Sequence, residues 1–369
     1  MKRLILSFFV LAFSTVIFQS CGDDETPQLN DSFERAQMLT FWADEIIIPA
    51  FNALESDMNE LQITKDAFLN EQSLNNFEDL RVSWYDAYRS WQYVSMFEVG
   101  KAEEIGLRNT MNIFPTDIEL IEQNVQIGNA NLELPSNIPA QGFPALDYLL
   151  YGVADSGTEI FSILSQPSYS DYLSLIIDRM QEMVTSVASD WRSTFRDQFI
   201  ANDGSSATAS TDKMVNDFLF YYEKFFRAGK VGLPAGVFSG SENAGLVEAY
   251  YAGGVSKELF IEAFKAVQDF FVGNSFDGSQ NGISLQDYLI SLDQVNGLDN
   301  DLASSIISQW SNVSNALESV DYNFALQVEN DNVQMLKLYD ELQKAVILLK
   351  VEMMQLMNIQ VDFVDADGD

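Results

Sequence analysis

The segment "GFPALDYLLYG", residues 142–152, carries a single acid, Asp147, inside an apolar, helix-forming run. Gly142 opens the run, Pro144 lies in its first turn, and a loop with Pro135 and Pro139 precedes it. A proline in the first helical turn costs no hydrogen bond. A glycine at the entrance allows a tight turn or a close approach to another surface. A carboxylate in such surroundings must be hydrogen-bonded, paired or neutralised. In the first of two uses, Asp147 is structural and accepts hydrogen bonds from a helix N-terminus, a tyrosine or an arginine such as Arg81, Arg89 or Arg108. In the second it joins Asp117, Glu248 or Asp287 in a carboxylate-lined site for a ligand or cation, with Gly142 at its edge. Such a site selects oxygen-preferring cations: Ca²⁺, Mg²⁺, Mn²⁺ or ferric iron. The structural use is the commoner fate of a lone buried acid.

Other chemistries are bounded by what the chain lacks. There is no histidine, which excludes a His-ligated zinc hydrolase and any His-based triad. The one cysteine, Cys21, leaves no disulfide framework. "FSGSENAG", 238–245, is rich in Gly and Ser but lacks the flanking strand and lysine of a phosphate-binding loop. No residue pair singles itself out as a glycosidase dyad. Lys and Arg total 20 against 55 Asp and Glu, a formal charge of −35. That field repels nucleic acid and anionic lipid headgroups, keeps the protein soluble, and attracts cations or a cationic partner.

Met1–Ser20 has the form of a signal peptide, with Lys2 and Arg3 ahead of the apolar "LILSFFVLAF". "FQSCGDDE" then sets a small residue directly before Cys21, which resembles a bacterial lipoprotein box of the looser Bacteroidetes kind with Cys21 as the lipidated residue. Cleavage would remove both Lys2 and Arg3 and deepen the charge from −35 to −37. Residues 21–30 read as an acidic tether. The expected location is the cell envelope, as an outer-membrane lipoprotein that is periplasmic or surface-exposed and touches the membrane only through its anchor.

The rest of the chain reads as all-α. Phe77, Leu80, Trp84, Ala87, Tyr88 and Trp91 recur three and four apart over residues 73–98 and predict one buried helix face. The aromatic stripe Trp84, Tyr88, Trp91, Tyr93 and Phe97 reads as core before it reads as a ligand pocket. Further helices are predicted over 114–123, 142–151 and 169–200, with a loop over 132–141. "ANDGSSATAST", 201–211, is a polar linker. Beyond it helices are expected near 212–230, 256–272, 284–293, 298–319 and 329–361. The expected organisation is an N-terminal bundle over 31–200 and a C-terminal bundle over 212–369. "DFVDADGD", 362–369, reads as a solvated acidic tail. "GFPALDYLL" at 142 and "GISLQDYLI" at 282 echo one another, Asp147 matching Asp287, which suggests that the bundles are related by internal duplication.

The 142–151 segment resembles the signature helix of the imelysin-like family of bacterial envelope proteins, whose motif is GxHxxE followed by an apolar run. Gly142 matches the glycine, Pro144 stands where the family has histidine, and Asp147 stands where it has glutamate. "SWYDAYRSWQ" (83–92), "NIFPTDIELI" (112–121, with Pro115 and Asp117) and "GLVEAYYAGGVSKELF" (245–260, with Glu248) resemble further family segments. The resemblance implies two helical bundles with the signature near their interface, and a role in iron uptake. The family's metallopeptidase label rests on the HxxE pair as metal ligands, and Pro144 has no donor atom. The expectation is therefore a non-catalytic binding protein whose ligand is iron, another oxygen-preferring cation, an iron-bearing molecule or a cationic partner. The alternatives are a metallopeptidase and a surface scaffold or receptor partner.

Overall fold

The computed structural model describes residues 30–363. The leader, Cys21 and most of its tether lie outside them, as does the acidic tail beyond Phe363. The described residues form α-helices, with π-helical and 3₁₀ turns, and contain no strand apart from one isolated bridge between Asn274 and Asn281. None of these helices is long and apolar enough to cross a membrane.

The first half is organised by α1 (Arg35–Phe41), α2 (Ile48–Asn70) and α3 (Leu74–Val94). Short helices α4 (Lys101–Ile105), α5 (Leu107–Met111), α6 (Ile118–Ile127), α7 (Gly142–Asp147) and α8 (Gly157–Leu164) follow, then α9 (Pro167–Asp190) and α10 (Arg196–Ala201). Helices α2, α3 and α9 pack together. The face foreseen on α3 (Phe77, Leu80, Trp84, Ala87, Tyr88 and Trp91) is buried, as are Phe51, Leu54, Met58 and Leu61 of α2 and Leu173, Ile176, Met180 and Val184 of α9. Each helix offers one apolar face because these residues recur every three or four positions. Side-chain caps fix several starts. Ser73 accepts from the Asn76 amide, Asp117 from Leu120 and Ser156 from Glu159.

In the second half, α11 (Ser210–Phe220) runs straight into a π-helical stretch, Tyr221–Gly232. It is followed by α12 (Ser256–Val272), α13 (Leu285–Asn296), α14 (Leu302–Glu318), α15 (Phe324–Val346) and α16 (Met354–Leu356). Helix α15 is broken at the non-helical Asp331 (φ −154°, ψ 73°), so the helix predicted near 329–361 starts close to this break, after a short helical segment that Asn323 caps by accepting from Leu326. The polar loop of the linker is shorter than 201–211. Thr211 is buried within the first turn of α11, and Ala209 is buried just before it.

Buried residues of both halves form one continuous apolar cluster. Helices α3 and α12 pack directly across the junction. There Trp42 meets Phe270 at 4.5 Å, and Arg89 and Tyr93 both reach Glu262.

The echo between 142 and 282 does not survive as structural equivalence. Asp147 is the buried last residue of α7. Asp287 is exposed in the first turn of α13, where it forms a capping box with Ser284. The match alone therefore does not establish a duplication.

Candidate functional site

Helix α7 is held where no other residue type would fit at its first position. Gly142 has φ +78°, and a Cβ there would lie 2.3 Å from the Met111 carbonyl oxygen and 2.6 Å from that of Thr110. The next residue, Phe143, stacks on Tyr88 at 4.5 Å and accepts a hydrogen bond from the Trp84 indole. Pro144 is buried in the first turn. The helix is thus pressed between α5 and α3, and its last residue, Asp147, points to the second half of the chain.

Asp147 is buried, and its carboxylate accepts the backbone N–H groups of Tyr251 at 2.9 Å and Ala252 at 2.8 Å. Of the partners considered from sequence, it takes none of the arginines; it binds amides of a turn. That turn includes Ala249 at φ +54°, a left-handed conformation uncommon for a residue with a side chain. Burial pushes the Asp147 carboxyl up to about 7, against the two amides that favour its charged form, and the nearby negative charge of Glu248 adds to the rise.

Glu248, next to the strained Ala249, is buried and turned into a polar cluster. It accepts from Asn112 Nδ2 at 2.8 Å and from Gln92 Nε2 at 3.3 Å, and it is paired with Lys230. Lys230 Nζ also donates to Gln92 Oε1 at 2.8 Å, and the Tyr88 hydroxyl donates to Asn112 Oδ1 at 2.6 Å. Burial pulls the Lys230 ammonium below its ordinary value, while Glu248 works in the opposite direction. The structure therefore brings Gly142, Asp147 and Glu248 to one junction. It leaves Asp117 and Asp287 outside, each exposed and engaged at the start of its own helix. Among the described residues no group of three acid or cysteine side chains is arranged to hold a metal ion.

A second acid–base cluster lies beside the first. Arg108 is buried and forms a two-pronged pair with Asp217, both contacts at 2.9 Å. Its backbone amide donates to Glu98 at 2.8 Å. Burial pushes Glu98 up to about 7, opposed by Arg108. Asp217, also raised by burial and opposed by Arg108, is fully enclosed. These groups floor a surface cleft of about 240 Å³. Glu103 and Asp362 add carboxylates to it, and Phe220 and Phe363 form an aromatic wall with ring centres 5.0 Å apart.

Sequence reasoning missed Lys230, Gln92, Asn112, Glu98 and Asp217, and it considered Arg108 only as a partner of Asp147, whereas Arg108 pairs with Asp217. One signal was available: "YYEKFFRAGK", 221–230, sets four charged residues among four aromatics. Glu223, Arg227 and Lys230 are all buried, and charges this deep are seldom left without partners.

The Imelysin family model, Peptidase_M75, matches residues 47–349. This chain belongs to the imelysin family. Two solved structures share the fold at a TM-score of 0.68. One is described as an iron-regulated protein A precursor from Parabacteroides distasonis ATCC 8503, at 16% identity over 88% of this chain and 96% of that one. The other is an imelysin-like protein from Psychrobacter arcticum 273-4, at 17% identity over 91% of this chain and 99% of the other. No curated protein matches. Within the matched range, Asp147 ties α7 to the 249–252 turn.

Proposed function

We propose that this imelysin-family protein is a lipid-anchored envelope protein that binds a ligand connected with iron uptake and does not hydrolyse peptides. The observation that carries the reading is the state of the signature. Pro144 offers no donor atom, and both oxygens of Asp147 are engaged by backbone amides. Of the two positions read as metal ligands elsewhere in the family, the one held by Asp147 serves here to join the two halves of the chain.

The iron connection and the envelope location are supported by the description of the Parabacteroides distasonis neighbour as an iron-regulated precursor, and by the leader and Cys21 of this chain. The cleft over Arg108 and Asp217 is the receiving surface. Its carboxylates favour a cationic group, and its aromatic wall and volume of about 240 Å³ suit a ligand larger than a bare ion. The carboxylates around Asp147 and Glu248 would take part indirectly, by fixing the junction on which the cleft is built.

The test is direct. Purified protein is titrated with ferric complexes of differing charge by calorimetry and thermal melts. Glu103→Gln combined with Asp362→Asn is expected to weaken binding about tenfold, through loss of charge complementarity at the rim. Binding of none of the complexes would favour a scaffold or receptor partner. Sustained, chelator-sensitive cleavage of a peptide would establish the metallopeptidase alternative instead.

A further inference from the structure

Arg108 also lines a second, partly enclosed cavity, with about 10 Å³ of room for the centre of a water-sized sphere. That is space for one small occupant. Trp91, Arg108, Tyr221 and Lys230 are among its walls. Two of them carry donors without a partner, and the other two are cations with an N–H to spare. The Trp91 indole N–H is buried with no acceptor. The Tyr221 hydroxyl is buried, makes no hydrogen bond of good geometry, and has the Ser95 side chain within reach. Arg108 uses Nε on the Ser95 carbonyl oxygen and Nη2 on Asp217, and Nη1 meets no acceptor among the described residues. Lys230 uses two of its three protons, on Gln92 and Glu248.

Unmet buried donors are costly, and here two of them and two cations face one cavity. A water molecule accepts only two hydrogen bonds, although its own protons could go to Gln92, Ser95 or Asn112 on the same walls. A monatomic anion accepts from every side and brings none. The two cations already have carboxylate partners, so the ion enters a locally balanced site with donors to spare. We propose that this cavity is a binding site for a single halide-sized anion, chloride in ordinary buffers, held by Trp91, Tyr221, Arg108 and Lys230. The ion locks α3, α5 and the 221–232 stretch together, and so fixes the Arg108 floor of the cleft and the Lys230–Glu248 pair.

The experiment uses the whole folded protein. Thermal melts are run at constant ionic strength with chloride replaced stepwise by gluconate, and crystals are grown in bromide. The expected result is a bromide anomalous peak in the cavity, and a wild-type Tm that rises with chloride by at least about 2 °C. Tyr221→Phe keeps the ring and removes one donor; it should fold and lose most of the chloride-dependent rise. Trp91→Phe serves as a second variant with the same expectation. A water in the cavity of bromide-grown crystals, or a wild-type Tm indifferent to chloride, overturns the proposal. So does a chloride effect that persists undiminished in both variants.

Discussion

The carboxylate of Asp147 accepts the backbone N–H of Tyr251 at 2.9 Å, a contact that spans 104 residues of chain. Together with the Ala252 amide, it fastens the end of α7 to the turn that carries Glu248. The acid therefore acts as a strut between the halves, and its replacement should be felt as stability. In Asp147→Asn one amide faces an NH₂ group and loses its acceptor, a cost of about 1–3 kcal/mol near pH 5. The deficit should shrink as pH rises through 7, because the variant has no charge to desolvate. Urea unfolding at pH 5 and pH 8 checks this; a larger deficit at pH 8 would refute it.

The pH dependence of the wild type follows from the same burial. Asp147 and Glu98 are both pushed up to about 7. An acid whose folded value lies above its unfolded value favours the fold when protonated. Its contribution is full below about pH 4 and is lost as pH rises through about 7. Unfolding free energy should therefore fall between about pH 4 and pH 7 and level off above it. Glu98→Gln should flatten that slope, and an unchanged slope in this variant would show that Glu98 does not titrate there.

Removing one member of the buried pair should cost more than removing both. Lys230→Met leaves the Glu248 carboxylate without its cation in the interior, a loss of about 3–5 kcal/mol. Adding Glu248→Leu to it should recover part of that loss. A double-mutant cycle by chemical denaturation measures the coupling. Additive losses would mean that the pair does not act as a unit.

Gly142→Ala combines a left-handed backbone with a Cβ 2.3 Å from the Met111 carbonyl oxygen. Both neighbours in conflict are backbone atoms of α5 and cannot swing aside. The expected cost is at least about 3 kcal/mol, read from Tm or urea midpoint. A near-neutral substitution would mean that α7 sits farther from α5 in solution.

For the anchor, Cys21→Ser should move the protein from the membrane to the soluble envelope fraction. Acyl chains on Cys21 would bind the bilayer at about 0.8 kcal/mol per buried CH₂. Equal partitioning of wild type and variant would dismiss lipidation.

The sequence by itself determined the helices. Apolar spacing on α3, and the run that becomes α12 (Ser256–Val272), are local properties, so both could be read from periodicity before any contact was known. It also determined that position 144 cannot ligate a metal through its side chain, since Pro144 lacks a donor in any fold. It marked Asp147 and Glu248 as acids worth following, but not that one would meet amides and the other a lysine. Those partners lie far apart in the chain or were hidden by a change of helical register. Tyr221 and Lys230 are nine residues apart, about two and a half α-helical turns, which would put them on opposite faces. In the wider π-helical stretch the same nine residues make about two turns, and both side chains line one cavity. That register is set by the packing of 221–232 against α12 and α15. Only the tertiary structure could decide it, and with it the floor of the candidate site.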